Sequence, residues 1–335
     1  MSNLVFLIGN GFDLNCGLKS KYKDAYQYYC NKTQNNSELI ERFKNDLKAN
    51  YENWSDFEEG MAYYASKLSD ENELIECIRD FRKKLKEYLI NEEIKLYDFI
   101  NSDNNLIDDL NAETKKSINK FFEGVSNNVS RKVNNINKVD FISFNYTSVL
   151  DNLARNYFNQ VNQKMELKCS NYHVTHIHGS FNSTPALGID RIEQLSVPYK
   201  LTLKEKRTFI KPFFNSNIDN KRILDAESLI FSANYLCLFG LSLGISDLSW
   251  RDKIIEWLTN DSEHQLFIYN YSLYKKINLD DDERLDEEEE CKNKLFTSRN
   301  IKSTEQLLEQ VHMPCGNKIF NYIEIINQYL IKKKI

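Results

Sequence analysis

Leu4-Val5-Phe6-Leu7-Ile8-Gly9-Asn10-Gly11-Phe12-Asp13-Leu14-Asn15-Cys16-Gly17 is the stretch on which the reading of the whole chain turns. Five consecutive apolar residues make a run of strand length, and the glycines then stop it. An uninterrupted apolar run bounded by a turn signal suits a strand covered on both faces, as in a parallel sheet. Gly9 and Gly11 permit a tight turn and remove side chains that would hold a ligand away from the backbone. A helix following that turn would aim its free N–H groups at an anion such as a pyrophosphate. The same pattern also suits an ordinary βα turn with no ligand, because Gly-x-Gly without a third spaced glycine is common.

The whole chain sets limits around this segment. Its 335 residues can bury a large core and hold one elaborated domain or two. Hydrophobic content of 41% supplies the apolar surface for it. A net charge of −5 argues against broad electrostatic binding to nucleic acid or an anionic membrane, while leaving room for a local basic groove. The N-terminal apolar run is too short for a membrane span and lacks the basic flank of a signal peptide. Seven scattered cysteines, none in a Cys-x-x-Cys pair, read as reduced thiols in a cytoplasmic protein, with neither a disulfide frame nor a zinc module. Of ten glycines, seven fall in three short clusters (9–17, 179–188 and 240–244), which marks these as places where backbones turn or approach closely.

Residues 20–137 read as almost wholly helical. Tyr22, Tyr26 and Tyr29 share one helical face, Ser55 with Glu58 fits a capping box, and Leu74, Ile78, Phe81, Leu85 and Tyr88 make a clear apolar stripe. The strand pattern returns at 139–144, 173–177, 235–239 and 265–269, with helical segments between. Residues 185–220 read as irregular and carry a basic patch at Lys200, Lys204, Lys206, Arg207 and Lys211. Nine acidic residues among 280–290 read as a solvated helix or loop, without the spacing of a cation loop. A closing helix carries Ile319, Tyr322, Ile326 and Tyr329. The expected fold is therefore α/β: a Rossmann-like, mostly parallel sheet flanked by helices, with a core of 1–19 and 138–335 and a helical insertion of 20–137 after the first strand-turn. In such sheets the loops at the carboxyl ends of strands converge on the ligand crevice. Gly9–Asp13, Asn145, His178 and Gly240–Asp247 would then lie along one edge.

Gly-Asn-Gly-Phe-Asp-Leu at 9–14, Gly17-Leu18-Lys19-Ser20-Lys21-Tyr22, Phe144-Asn145-Tyr146-Thr147, His176-Ile177-His178-Gly179 and Leu187-Gly188-Ile189-Asp190 together resemble the AbiH family of phage abortive-infection proteins. More remotely, the pattern resembles the sirtuin-like NAD-binding superfamily. That resemblance implies a catalytic pair, Asn145 and His178, and dinucleotide contacts from Gly9, Gly11, Gly240 and Ser242. Asn10, Asp13 and Asp247, beside the same turns, are further candidate contacts to the cofactor. Asn10 stands where the sirtuin-like turn has Ala, and Thr147 where many such proteins have Asp; the four zinc cysteines of the deacetylases are missing. The resemblance thus implies an antiphage effector that binds NAD or ADP-ribose as substrate or ligand and hydrolyses NAD to nicotinamide and ADP-ribose. It also implies a phage-derived trigger, no permanently bound cofactor or metal, and leaves homo-oligomers open. A non-catalytic nucleotide-binding sensor is the alternative.

Elementary chemistry leaves each residue with a second role. His178, with an ordinary pKa near 6.5, suits a proton acceptor or a strand-end hydrogen bond. Asn145 suits ordering of a water or ribose hydroxyl, or capping of a helix near Thr147. Asp247 suits a ribose hydroxyl or a helix cap. His176, two residues from His178, would share its strand face. Gly240-Leu241-Ser242-Leu243-Gly244 also matches the Gly-x-Ser-x-Gly elbow of hydrolases, with His264 and His312 available downstream.

Overall fold

The computed structural model describes residues 2–32, 37–50, 54, 56–128, 136–162, 174–181, 183–218, 220–269, 281–296, 305–314 and 319–332. Its strands are β1 (Ser2–Ile8), β2 (Ile136–Ser143), β3 (Val174–His176), β4 (Tyr235–Phe239), β5 (Gln265–Tyr269) and β6 (Val311–His312). All pair in parallel, in the order β3-β2-β1-β4-β5-β6. The expected α/β sheet is present with its five strands. The sixth is two residues long, too short to leave an alternation in the sequence.

The opening run is the centre of the sheet because both its faces are covered. Leu4, Phe6 and Ile8 enter one core and Val5 and Leu7 the other, all at most 1% exposed. At about 1.5–3 kcal/mol for each large side chain fully buried, this strand alone is a major stabilising element. One core lies against the helix Asn104–Asn128, through Ile118 and Phe121, and the C-terminal helix Tyr322–Lys332. The other lies against the helices Asn220–Ser232 and Leu248–Asn260, through Ile230, Trp250 and Trp257.

After β1 come α1 (Asn10–Asn15), α2 (Tyr22–Asn31), α3 (Glu38–Ala49), α4 (Phe57–Tyr64), α5 (Glu71–Asn101) and α6 (Asn104–Asn128). The stripe from Leu74 to Tyr88 is buried on α5, where it meets Tyr26, Tyr29, Phe43 and Phe57 in a third core. That core is completed by Leu187, Ile189, Phe209 and Ile210 from far along the chain. The 20–137 stretch thus divides: α2 to α4 and the first half of α5 build a core with residues 187–210, and α6 packs on the sheet.

Two local expectations need correction. Ser55 lies outside the described residues, and α4 is capped by Asp56, whose Oδ1 accepts from Glu58 N at 2.8 Å and Glu59 N at 3.2 Å. A carboxylate beside the first-turn amides serves better than a hydroxyl one residue earlier. The 185–220 stretch, read as irregular, contains α8 (Leu203–Phe209) and α9 (Lys211–Ile218), α7 being Val149–Asn162. Thr202 and Glu205 make a reciprocal capping box that starts α8, so the signal was present in the sequence. Residues 281–296 do form a helix, as the solvated reading allowed. Among the described residues, no helix is long and apolar enough to cross a membrane.

Candidate functional site

Strand order reverses between β1 and β4, which in an open parallel sheet places the ligand crevice at their carboxyl ends. Here the two turns touch. Gly9 N donates to Phe239 O at 3.0 Å, Gly11 N to Gly240 O at 2.9 Å, and Phe12 N to Gly9 O at 3.0 Å. A Cβ on Gly11 would stand 2.5 Å from the Gly240 Cα, and one on Gly240, at φ +63°, would meet Gly11 at 2.6 Å. The glycines are therefore explained by backbone meeting backbone. The amides of Gly9, Gly11 and Phe12 already have acceptors within the chain. α1 itself is only six residues long, so its N-terminus offers little to an anion.

The β1 and β2 turns are joined by a buried carboxyl. Asp13, 1% exposed, accepts from Asn145 Nδ2 at 3.1 Å and from Thr147 Oγ1 at 2.7 Å. The Asn145 amide also donates to Gly9 O at 3.1 Å. Burial pushes the Asp13 carboxyl up to about 7, with Thr147 and Asn145 opposing and the Glu93 carboxylate adding. Asp13 thus faces into the protein, toward Asn145 and Thr147. Asn145 braces that turn rather than capping a helix, since α7 begins only at Val149. Glu93 takes the α7 end instead, accepting from Ser148 N at 2.9 Å and from the Ser148 hydroxyl.

The β3 and β4 turns build a second cluster. His178, 3% exposed, has Nε2 2.9 Å from Asp247 Oδ1. Lys211 Nζ donates to the same Oδ1 at 3.2 Å and to Ser246 O at 2.9 Å, and lies 3.8 Å from Glu58. Tyr22 OH donates to Glu58 from 2.9 Å. Although burial alone would raise it, the Asp247 carboxyl is held well below the usual range by the Lys211 ammonium and by His178. Lys211 is correspondingly held above the ordinary lysine range against its own burial, by Asp247 and then Glu58. Burial, then the Lys211 charge, lowers the His178 pKa, with Asp247 opposing. An ionised carboxylate can only accept, so Nε2 carries the proton and Nδ1 is left with its lone pair. That Nδ1 is buried and has no hydrogen-bond partner among the described residues.

His176 and His178 do not share a face. The strand ends at His176, and the next two residues form a turn that leads to Gly179 at φ +79°. His176 instead meets Asn145 O at 2.9 Å and Asp151 Oδ2 at 2.8 Å. Burial lowers its pKa, but Asp151, the Asn145 carbonyl and Asp13 together raise it above the ordinary value. Asp247 sits at the N-cap of α11 (Leu248–Asn260, α10 being Asn220–Ser232), yet it makes no side-chain cap; its carboxylate is taken by His178 and Lys211. Asn10 bonds Ser20, donating to its carbonyl at 3.2 Å. Ser242 is exposed on the loop after β4.

The hydrolase elbow does not assemble a triad. His264 stacks on Trp257 at 4.5 Å, just before β5, and His312 sits on β6 with Gln265 at 2.6 Å, so neither histidine joins the carboxyl-edge turns. Among the described residues, no three His, Cys, Asp or Glu side chains converge as ligands for a metal.

Lys211, Glu58 and Thr147 are the members that sequence reasoning did not place in the site. Lys211 is brought there by Gly188: a Cβ at that position would lie 1.9 Å from Phe209 O, and its absence lets Ile189 N donate to Phe209 O and Lys211 N to Ile189 O. A single lysine inside Phe209-Ile210-Lys211-Pro212-Phe213-Phe214 was the available signal, since charge within an apolar run is a pairing problem.

A family model described as bacteriophage abortive infection AbiH matches residues 5–269, from β1 to the end of β5 and across both clusters. No curated protein matches the chain.

Proposed function

Since this chain belongs to the AbiH family of bacteriophage abortive-infection proteins, we propose that it acts in that response as a hydrolase, with His178 as general base and NAD as substrate. The observation that carries this reading is the unpartnered, buried Nδ1 of a neutral histidine whose other nitrogen is fixed by an ionised carboxylate. An acid-oriented imidazole with one free lone pair is how proteins prepare a proton acceptor. In the proposed step a water oxygen bonds to the anomeric carbon of the nicotinamide ribose. The carbon–nitrogen bond breaks, its electron pair leaves with nicotinamide, and the water proton passes to His178 Nδ1. Asp247 stabilises the imidazolium, and Lys211 keeps Asp247 ionised.

Asn145 enters this scheme as a positioning residue, because its amide nitrogen is committed to Gly9 O and Asp13. The dinucleotide phosphates must likewise find donors other than the amides of Gly9, Gly11 and Phe12. Ser242, exposed after β4, remains available to the ligand. A site with its base buried suits an effector held inactive until infection triggers it. The choice of NAD rests on the resemblance of the four strand-end motifs to the sirtuin-like superfamily.

Nicotinamide release by wild type, His178→Ala and His176→Ala, with and without phage-infected lysate, tests the reading. His178→Ala should lower turnover by about 10²–10⁴-fold, and His176→Ala reports general damage to this end of the sheet. Wild-type protein that stays inert in infected lysate would overturn it in favour of a sensor, and a His178→Ala variant with wild-type turnover would overturn the role of His178 as the base.

A further inference from the structure

A second place in the molecule has the chemistry of a ligand site and belongs to neither cluster. Arg79, Arg82, Lys83 and Lys86 follow one another at helical spacings of three, one and three along α5, which gathers them on one face. Lys204 and Arg207, three apart on α8, face them across a cavity of about 800 Å³. No carboxylate lines that cavity. Arg79, Arg82, Lys83 and Arg207 have no carboxylate partner among the described residues. Lys86 reaches only the Ser183 carbonyl at 3.4 Å, and Lys204 only the Asn72 amide oxygen at 3.5 Å.

Arg82 is the informative member. It is 8% exposed, and its guanidinium lies 5.0 Å from the Phe214 ring. One terminal nitrogen donates to Leu187 O at 3.0 Å and to Thr208 O at 2.6 Å. Its Nε is buried and has no hydrogen-bond partner among the described residues. Burial pushes its pKa down to about 10, with Arg79 adding. A buried cation without a counter-charge is costly, and natural proteins pair such groups.

We propose that the cavity between α5 and α8 is a binding site for a small polyphosphate, a ligand bearing a chain of three or more phosphates. Six cations with no acid among them call for several negative charges in one compact body. The cleft is open to solvent, with Arg79, Lys83, Lys204 and Arg207 exposed, and its volume is that of a small-molecule site, whereas a nucleic acid would need a longer stripe of charge along the surface. NAD is the wrong ligand here, because its pyridinium cation offsets one of its two phosphate charges. Leu203, Pro185 and Phe214 supply an apolar wall for a nucleoside attached to the phosphates. Thr184 and Pro185, on the cavity wall, lie between His178 and Gly188 in the chain.

The test is calorimetric titration of the full chain with inorganic tripolyphosphate, ATP and a single-stranded oligonucleotide. Tripolyphosphate and ATP should both bind, and raised salt should weaken them. Arg79→Glu/Lys83→Glu, and separately Arg207→Glu, should lose tenfold or more in affinity while keeping the fold, since these side chains are exposed. Equal affinities would show that the phosphates alone are read; ATP tighter by tenfold or more would assign the apolar wall to the nucleoside. Without ligand, the same charge reversals should raise Tm by relieving like-charge repulsion. His178→Ala should bind tripolyphosphate as wild type does, which separates this site from the proposed catalytic one. Absence of binding at millimolar tripolyphosphate and ATP, unchanged affinity in the charge-reversed variants, or an oligonucleotide preferred by more than tenfold would each overturn the proposal.

Discussion

Two carboxyls at the same edge of the same sheet, Asp13 buried and Asp247 partly buried, are driven in opposite directions. Asp13, between the β1 and β2 turns, meets an amide and a hydroxyl, and its pKa rises to about 7. Asp247, beyond β4, meets an ammonium and an imidazole, and its pKa falls below the usual carboxylate range. Burial acts on both alike, raising each. The neighbour decides: neutral donors only partly offset desolvation, whereas a buried cation overcomes it. The consequence is functional. A carboxyl that rests near neutrality ties two turns together, while one that stays ionised can orient a histidine and stabilise its charged form.

The strongest way to break this contrast is to take the charge from Asp247. Asp247→Asn still offers an oxygen to Lys211, but turns an N–H toward His178 Nε2, so the imidazole proton must move to Nδ1. If the proposed hydrolysis runs, NAD turnover should fall by about 10²–10⁴-fold. Folding stability should fall as well, by about 3–5 kcal/mol, as Lys211 loses its nearer carboxylate and keeps only Glu58 at 3.8 Å. Urea denaturation and a nicotinamide-release assay read the two effects. A variant with wild-type stability would mean that solvent, not Asp247, compensates Lys211.

The opposite substitution sharpens the contrast through pH. Asp13 holds its proton in the folded state to about 7, against about 3.9 in an unfolded chain. Between those values the native state carries a proton that the unfolded state has released. Stability from this group is therefore full near pH 4, falls as pH rises, and is flat above about 7. The slope is up to about 1.4 kcal/mol per pH unit. Asp13→Asn mimics the protonated carboxyl, its amide donating to Thr147 Oγ1. Its stability relative to wild type should therefore improve steadily from pH 5 to pH 7 in urea titrations. A difference that does not change with pH would show Asp13 to be ionised throughout.

How much of this was legible in the sequence follows the same physics. The sheet was readable because Leu4–Ile8 is apolar on both faces, and no surface strand tolerates that. The stripe on α5 was readable because burial imposes a period on it. Glycine positions were readable as close approaches, but not what approaches: Gly11 and Gly240 meet each other, and a sequence cannot distinguish backbone from phosphate. His178 was found from its place after a strand. Its partners were not, because Lys211 reaches it through the Gly188–Phe209 contact and Glu58 through a core shared by distant segments. Asn145 was placed at the carboxyl edge by its position after a strand, yet its amide serves Gly9 and Asp13, a pairing that depends on three-dimensional register.

The smallest expected effect concerns the two histidines, which repeat the contrast with the sign of the charge reversed. His176 has the Asp151 carboxylate 2.8 Å away and Asp13 nearby, and is raised above the ordinary value despite burial. His178, the more deeply buried of the two, has the Lys211 ammonium beside its own carboxylate and is lowered. In a proton-detected titration of the intact chain, His176 should therefore titrate above pH 6.5 and His178 below it. Asp151→Asn removes the largest support of the His176 charge, so its pKa should fall below that of wild type. A folded-state pKa raised above the unfolded value contributes stability that is complete below pH 6.5 and lost as pH rises through the folded pKa. Asp151→Asn should consequently cost stability at pH 5, on the order of 1 kcal/mol for a pair this near the rim, and almost nothing at pH 9. Lys211→Met should shift His178 upward and leave His176 where it is. Two histidines that titrate together in the wild type would mean that burial alone governs both, and that the partners found at 2.8 Å and 2.9 Å do not set their charge.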